Sequence, residues 1–257
     1  MPGLPRILRF AAALPFAALL AACATAPPSG PGDETCSWGY TGAKGPAHWG
    51  TICPQFTACG TGSRQSPIDI TAATSRTLPA LEIHYGRRQA KVQDTGHDIQ
   101  VEITQGGSTA LVVGGRTYQL VQFHFHAPGE HKIGGKPAPM EIHFVHADEG
   151  GELAVIGVMM QEGKPNPVIA RILQALDTDP PAIELEPADL LPADRSYFGY
   201  AGSLTTPPCT EGVRWHVLRG SIELSKEQIE DFRKRHVNAR PTQNPNGRVI
   251  LARERTP

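Results

Sequence analysis

The sequence predicts a mainly β fold. One domain of antiparallel sheet, with a few short surface helices, should run from about residue 36 to the end of the 257-residue chain. Three observations predict it. Short runs of alternating apolar and polar side chains recur from residue 66 to residue 223, and a period of two is the mark of a half-buried strand. Gly, Pro, Asn and Asp separate these runs, as turn chemistry requires. Only two segments carry apolar residues at helical spacing instead.

The elements follow in order. SPIDI, LEIHY, IQVEI and ALVVG are the first strand candidates, followed by YQLVQFHFHA, MEIHFVHA, ELAVIGVMM and VRWHVLRGSI. Asn166-Pro167 starts a helix bearing Val168, Ile169, Ile172, Leu173 and Leu176; Asn suits an N-cap and Pro the first helical position. Ser225 and Gln228 form a capping box ahead of Ile229 and Phe232. The 27 Gly and 24 Pro are spread throughout, without a low-complexity tract or an internal repeat. A chain of this length can bury one large core.

The first 22 residues differ from the rest. MPGLPRILRF holds Arg6 and Arg9 and no acid, and FAAALPFAALL is apolar but short for a bilayer span. This is the pattern of an export signal. It ends in Leu20-Ala21-Ala22-Cys23, which resembles the lipobox of bacterial lipoproteins and implies a lipid anchor on Cys23. Residues 23–35 are small, polar and Pro-rich, a flexible tether before a domain spanning 36–257. Without residues 1–22 the chain keeps 22 of its 24 basic residues against 25 acidic ones, a formal charge of −3. That excludes nucleic acid as an expected partner and leaves the anchor as the only expected link to a membrane. With Cys23 set aside, Cys36, Cys53, Cys59 and Cys209 remain, an even number that suits disulfides in an exported protein and permits three pairings.

The chemistry begins at QFHFH, residues 122–126. Alternation puts Gln122, His124 and His126 on one face and Phe123 and Phe125 on the other. In MEIHFVHA, Glu141, His143 and Val145 share a face, opposite Ile142, Phe144 and His146. If the two strands are neighbours, His124, His126 and His143 converge. Three imidazoles with a vacant fourth position make a catalytic zinc site, where a structural site would close with four ligands. Zinc there brings the pKa of bound water to about 7. Cupins and other β-rich metalloproteins also use H-x-H, so the pair alone names no family. His131, His146 and His216 are the histidines assigned to structural roles.

Six motifs are more specific: QSPIDI at 65–70, QFHFHAPGEH at 122–131, MEIHFVH at 140–146, LAVIGV at 153–158, SLTTPPC at 203–209 and NARPTQ at 238–243. In this order they resemble the α-class carbonic anhydrases, particularly the bacterial secreted members, from about Trp38 to Arg248. The resemblance implies a large, twisted, mainly antiparallel sheet with Zn2+ at the bottom of a conical cleft, held by His124, His126 and His143. It implies that Gln122, Glu141 and the backbone carbonyl of Asn238 accept the outer N–H groups of these ligands. It further implies that Thr205 donates to Glu130, that Thr206 lines the polar wall, and that Val145, Val155, Leu204, Val213 and Trp215 form an apolar wall. His97, in DTGHDIQVEI, matches the proton shuttle, and Gln100 a polar cleft residue. Cys59 and Cys209 match a disulfide, with Cys36–Cys53 as a second candidate pair.

The activity implied is reversible hydration of CO2 to bicarbonate and a proton, open to sulfonamide and anion inhibitors. The expected location is the periplasmic or cell-surface side, and a homodimer is one option for assembly. Two rival readings make other demands. A binding module that had lost its metal would lack a ligand, and an unrelated zinc hydrolase would need a roomier groove with its own acid or base.

Overall fold

The computed structural model describes residues 36–105 and 109–254, which belong to one compact unit. The expected signal, anchor and tether lie outside the described residues. Fifteen strands are present among those described. They are β1 (Asp69–Ile70), β2 (Thr74–Ser75), β3 (Glu82–Tyr85), β4 (Arg88–Asp94), β5 (Ile99–Gln105), β6 (Thr109–Val113), β7 (Arg116–His126) and β8 (Lys132–Ile133), then β9 (Lys136–Pro137), β10 (Met140–Ala147), β11 (Leu153–Glu162), β12 (Ala182–Leu185), β13 (Tyr197–Ser203), β14 (Glu211–Leu224) and β15 (Leu251–Arg253). Twelve form one sheet, ordered β12-β4-β5-β7-β10-β11-β14-β13-β15-β2, with β6 pairing β3 and β7 off this path. The expectation of a mainly antiparallel sheet holds with two exceptions, since β11–β14 and β15–β2 are parallel.

The central pairing is β7 with β10, in the register His124↔His143 and His126↔Glu141. That register brings the two histidine strands side by side. A bulge interrupts it: Val145 pairs Gln122 but His146 pairs Leu120, so Val121 is the extra residue. Simple alternation from Tyr118 would put Leu120 and Gln122 on the same face. The bulge moves them apart, and Tyr118, Leu120, Phe123 and Phe125 all reach the larger core. Gln122, His124 and His126 are left for the opposite face.

Both expected helices form. In α1 (Trp49–Ile52) and α2 (Ala58–Thr61), two short helices arise that the periodicity did not signal. The predicted pair are α3 (Pro167–Ala175) and α4 (Lys226–Arg235). Asn166 Oδ1 accepts from Val168 N and Ile169 N at 3.0 and 3.2 Å. Ser225 and Gln228 close the capping box at 3.3 and 3.0 Å. Gln228 also exchanges two hydrogen bonds with the backbone of Asn166, so one glutamine ties the two helix starts together. α4 lays Phe232 against Phe125, with ring centroids 4.8 Å apart, and so buttresses the ligand strand from behind.

No described helix is long and apolar enough to cross a membrane. Cys59 and Cys209 form a disulfide with Cα atoms 5.0 Å apart across 150 residues. The second candidate pair is not formed: Cys53 is a buried thiol, and the Sγ of Cys36 lies 3.6 Å from Gln55 Oε1.

Candidate metal centre

The three histidines meet as the register dictates. Each has one ring nitrogen tethered. His124 Nδ1 donates to Gln122 Oε1 at 2.9 Å, His126 Nδ1 to the Asn238 carbonyl at 2.9 Å, and His143 Nε2 to Glu141 Oε1 at 2.8 Å. The tether sets which nitrogen is left over. His124 Nε2, His126 Nε2 and His143 Nδ1 remain, and the three histidines bring donor atoms within 4.8 Å of one another. His126 Nε2 is buried and has no hydrogen-bond partner. A buried polar atom left so costs about 1–3 kcal/mol, and a cation at the point where the three nitrogens converge removes that cost.

The donor set fits Zn2+: three imidazoles and, among the described residues, no fourth ligand grouped with them. Burial holds His143 at a pKa of about 4 despite Glu141 beside it, and holds His124 well below 6.5, with His126 adding to the effect. A second group, His131, Glu141 and His143, is equally close. It is not a ligand set, because Glu141 Oε1 already accepts from His131 Nδ1 at 2.7 Å and from His143 Nε2.

Glu141 is the hub of the surrounding network. Burial alone would raise its pKa, but His131 and His143 hold the carboxylate well below the usual range. Its Oε2 accepts from the backbone N–H groups of Glu130 and His131, both at 2.8 Å. His131 continues to the Tyr200 hydroxyl at 2.7 Å, which meets Ser66 Oγ at 2.8 Å. The structural role expected of His131 is therefore a precise one: it braces the acceptor of a ligand. His146 is also structural, between the Tyr85 hydroxyl and the Ala154 carbonyl. His216 is different, since both its ring nitrogens are buried without a partner.

Glu130 is buried, and its Oε1 accepts from Arg240 N at 2.8 Å. Its Oε2 makes no hydrogen bond, to Thr205 or to any other described residue. It lies 3.5 Å from His126 Nε2 and 3.9 Å from His143 Nδ1, beside the two nitrogens left for a metal. Thr205 is buried and the neighbouring Thr206 half-buried. Val145, Val155, Leu204, Val213 and Trp215 belong to one apolar cluster, and the ladder sets Val145 against Val155 and Val155 against Trp215.

Asn238 does more than offer its carbonyl. Its side-chain amide donates to the Phe125 and His97 carbonyls at 2.9 and 3.1 Å, and its Oδ1 accepts from Ala127 N. The turn carrying His97 is thereby fixed to the ligand strand. The His97 ring stacks on Trp38, with centroids 3.9 Å apart and planes 12° apart. Partial burial lowers its pKa below 6.5, Asp98 opposing and His236 assisting. Gln100 stands directly across the ladder from His124.

Two contributors escaped the sequence reading, although both lie inside its motifs. Gly157, in LAVIGV, faces His143 across the ladder; a Cβ there would come within 2.9 Å of Glu141 Oε1. Arg240, in NARPTQ, is buried and reaches Gln65 Oε1, the Ser66 carbonyl and the Cys59 carbonyl. Burial brings its pKa down to about 10.

Three imidazoles in a protein-built tripod, with an apolar wall beside them, define a class: a mononuclear zinc enzyme acting on a small, weakly polar substrate. Comparison with known proteins narrows it. The family model for eukaryotic-type carbonic anhydrases matches residues 44–254. A carbonic anhydrase of Neisseria gonorrhoeae is 42% identical, covering 98% of this chain and 100% of that protein. One of Pectobacterium atrosepticum is 40% identical, covering 92% and 97%. The solved α-carbonic anhydrase of Thermovibrio ammonificans, in complex with the inhibitor sulfanilamide, matches with a TM-score of 0.79 at 41% identity, over 84% of this chain and 99% of that one. The chain belongs to the eukaryotic-type, α-class carbonic anhydrase family. Its activity is that of a carbonic anhydrase, and zinc is the metal for its three histidines.

Proposed function

We propose that the chain hydrates CO2 outside the cytoplasm by a division of labour among named residues, and exports the product proton through His97. The observation that carries this reading is the convergence of three imidazoles, one of them with a buried, partnerless nitrogen, beside the cluster of Val145, Val155, Leu204, Val213 and Trp215. Zinc held by those nitrogens supplies a hydroxide nucleophile near neutral pH. The apolar wall receives CO2, which is nonpolar and a poor hydrogen-bond acceptor. Thr205 donates a hydrogen bond from its hydroxyl to the partnerless oxygen of Glu130, so that its own oxygen would accept one from a group at the open metal position. That orients a lone pair at the substrate, and Thr206 lines the polar side. Gln122, Glu141 and Asn238 fix ligand tautomers. Bicarbonate, sulfonamides and small anions compete for the open position.

His97 carries protons from the cleft to buffer. Its lowered pKa keeps it a neutral acceptor through the neutral range. Stopped-flow CO2 hydration by His97→Ala tests this. In weak buffer kcat should fall on the order of 10²-fold, kcat/KM should be largely spared, and added imidazole should restore kcat. An unchanged kcat in weak buffer, or an equal fall in kcat/KM without rescue, sinks the shuttle assignment.

The export signal and lipobox support a lipid anchor at Cys23, and a disulfide spanning 150 residues suits an oxidising compartment. Mass spectrometry of the mature amino terminus should find a lipidated Cys23; an unmodified start elsewhere removes the anchor.

A further inference from the structure

β14 divides two environments. The Trp215 ring lies 4.8 Å from that of His143 and its Nε1 donates to the Ser203 carbonyl at 3.0 Å, while the residue also borders the cavity behind the strand. His216, the next residue, turns to the opposite face and lines a cavity of about 380 Å3, within the range of small-molecule sites. Leu78, Val113, Tyr197, Gly199 and Leu251 are among its lining residues. His216 is only 8% exposed, and neither ring nitrogen has a hydrogen-bond partner. Gly199 stands directly across the ladder from it, so no side chain at that position covers the imidazole. The Tyr197 ring meets the imidazole edge-on at 5.1 Å, but its hydroxyl is committed to the Pro79 carbonyl at 2.9 Å.

The charges at the mouth select the ligand class. Arg116 and Arg214 both border the cavity. Arg116 is paired with Asp148 and Glu152, and Arg214 with Glu152 at 3.5 Å, so two cations meet two anions. The cavity therefore offers no unbalanced charge to an anion. Burial, assisted by Arg214, keeps His216 neutral, with a pKa of about 4. A neutral imidazole has one N–H to donate and one lone pair to accept with. The complement is a group that can do either, on a flat apolar body.

We propose that this cavity is a second ligand site, separate from the metal centre, that binds a neutral phenol-type aromatic through a hydroxyl hydrogen-bonded to His216. Val249 at the mouth is 65% exposed, which leaves the site open to solvent.

Calorimetric titration of the zinc-loaded enzyme with phenol tests the proposal, with the metal centre first saturated by sulfanilamide. The expected result is one saturable site per chain. Benzene, which lacks the hydroxyl, should bind at least 10-fold more weakly, and His216→Phe should weaken phenol at least 10-fold while CO2 hydration persists. Leu251→Trp, which fills the cavity from another strand, should abolish phenol binding. Failure of phenol to bind once the metal centre is blocked overturns the site. Equal affinities for phenol and benzene overturn the anchoring role of His216, with no variant needed.

Discussion

Glu130 and Thr205 show how much of the chemistry turns on single hydrogen bonds. Glu130 Oε1 is committed to Arg240 N, while Oε2 is buried and partnerless near the ligand nitrogens. A hydroxyl at Thr205 is the group the proposed mechanism requires there. Thr205→Ala should keep zinc, slow CO2 hydration by about 10²-fold and weaken sulfanilamide; kinetics unchanged from the parent would reject the pairing. At this scale the sequence was most legible where polar residues fell on a face that had to be buried. Gln122 and Glu141 sit one alternation step from ligands, and a buried amide or carboxylate needs a partner. Arg240 and Gly157 were illegible for the opposite reason. A single arginine gives no hint that it will be buried under three carbonyl and amide oxygens. A glycine in an apolar strand does not say which carboxylate needs the space.

The ligand strand was read correctly at His124 and His126, yet alternation could not foresee the bulge at Val121 that frees Gln122 from the core face. Bulges come from the pairing of two strands, and a single strand's pattern does not contain them. β4 was missed because Ala90 and Val92 are its buried apolar residues among polar neighbours, and β13 because YFGYAGS is rich in small residues. The helix starts were legible because their caps are local. The Cys59–Cys209 bridge joins α2 to the loop after Thr205, and the turn at Cys209 has φ of 57°, a left-handed conformation that needs outside restraint in a non-glycine residue. Replacing both cysteines by alanine should lower unfolding free energy by up to ~5 kcal/mol, the chain-entropy value for a loop of this length. Equal denaturation midpoints for the two proteins would show that the bridge does not stabilise the fold.

Across the whole molecule, one twelve-stranded sheet carries two faces with different tasks. One packs the large core around Phe123, Phe125 and Phe144; the other presents three histidines beside a smaller apolar cluster. The fold class was legible because strand-length alternation recurs along the chain. The strand order was not, since β7 meets β10 across 15 to 28 residues of chain and β11 meets β14, in parallel, across 60 to 62. The central claim is that this arrangement is a zinc centre for CO2 hydration. Stopped-flow hydration by the purified chain, before and after zinc removal with a chelator and again after zinc is restored, tests it most directly. The account predicts loss of nearly all activity on removal and its return with one zinc per chain. Hydration that persists undiminished in the zinc-free protein would contradict it.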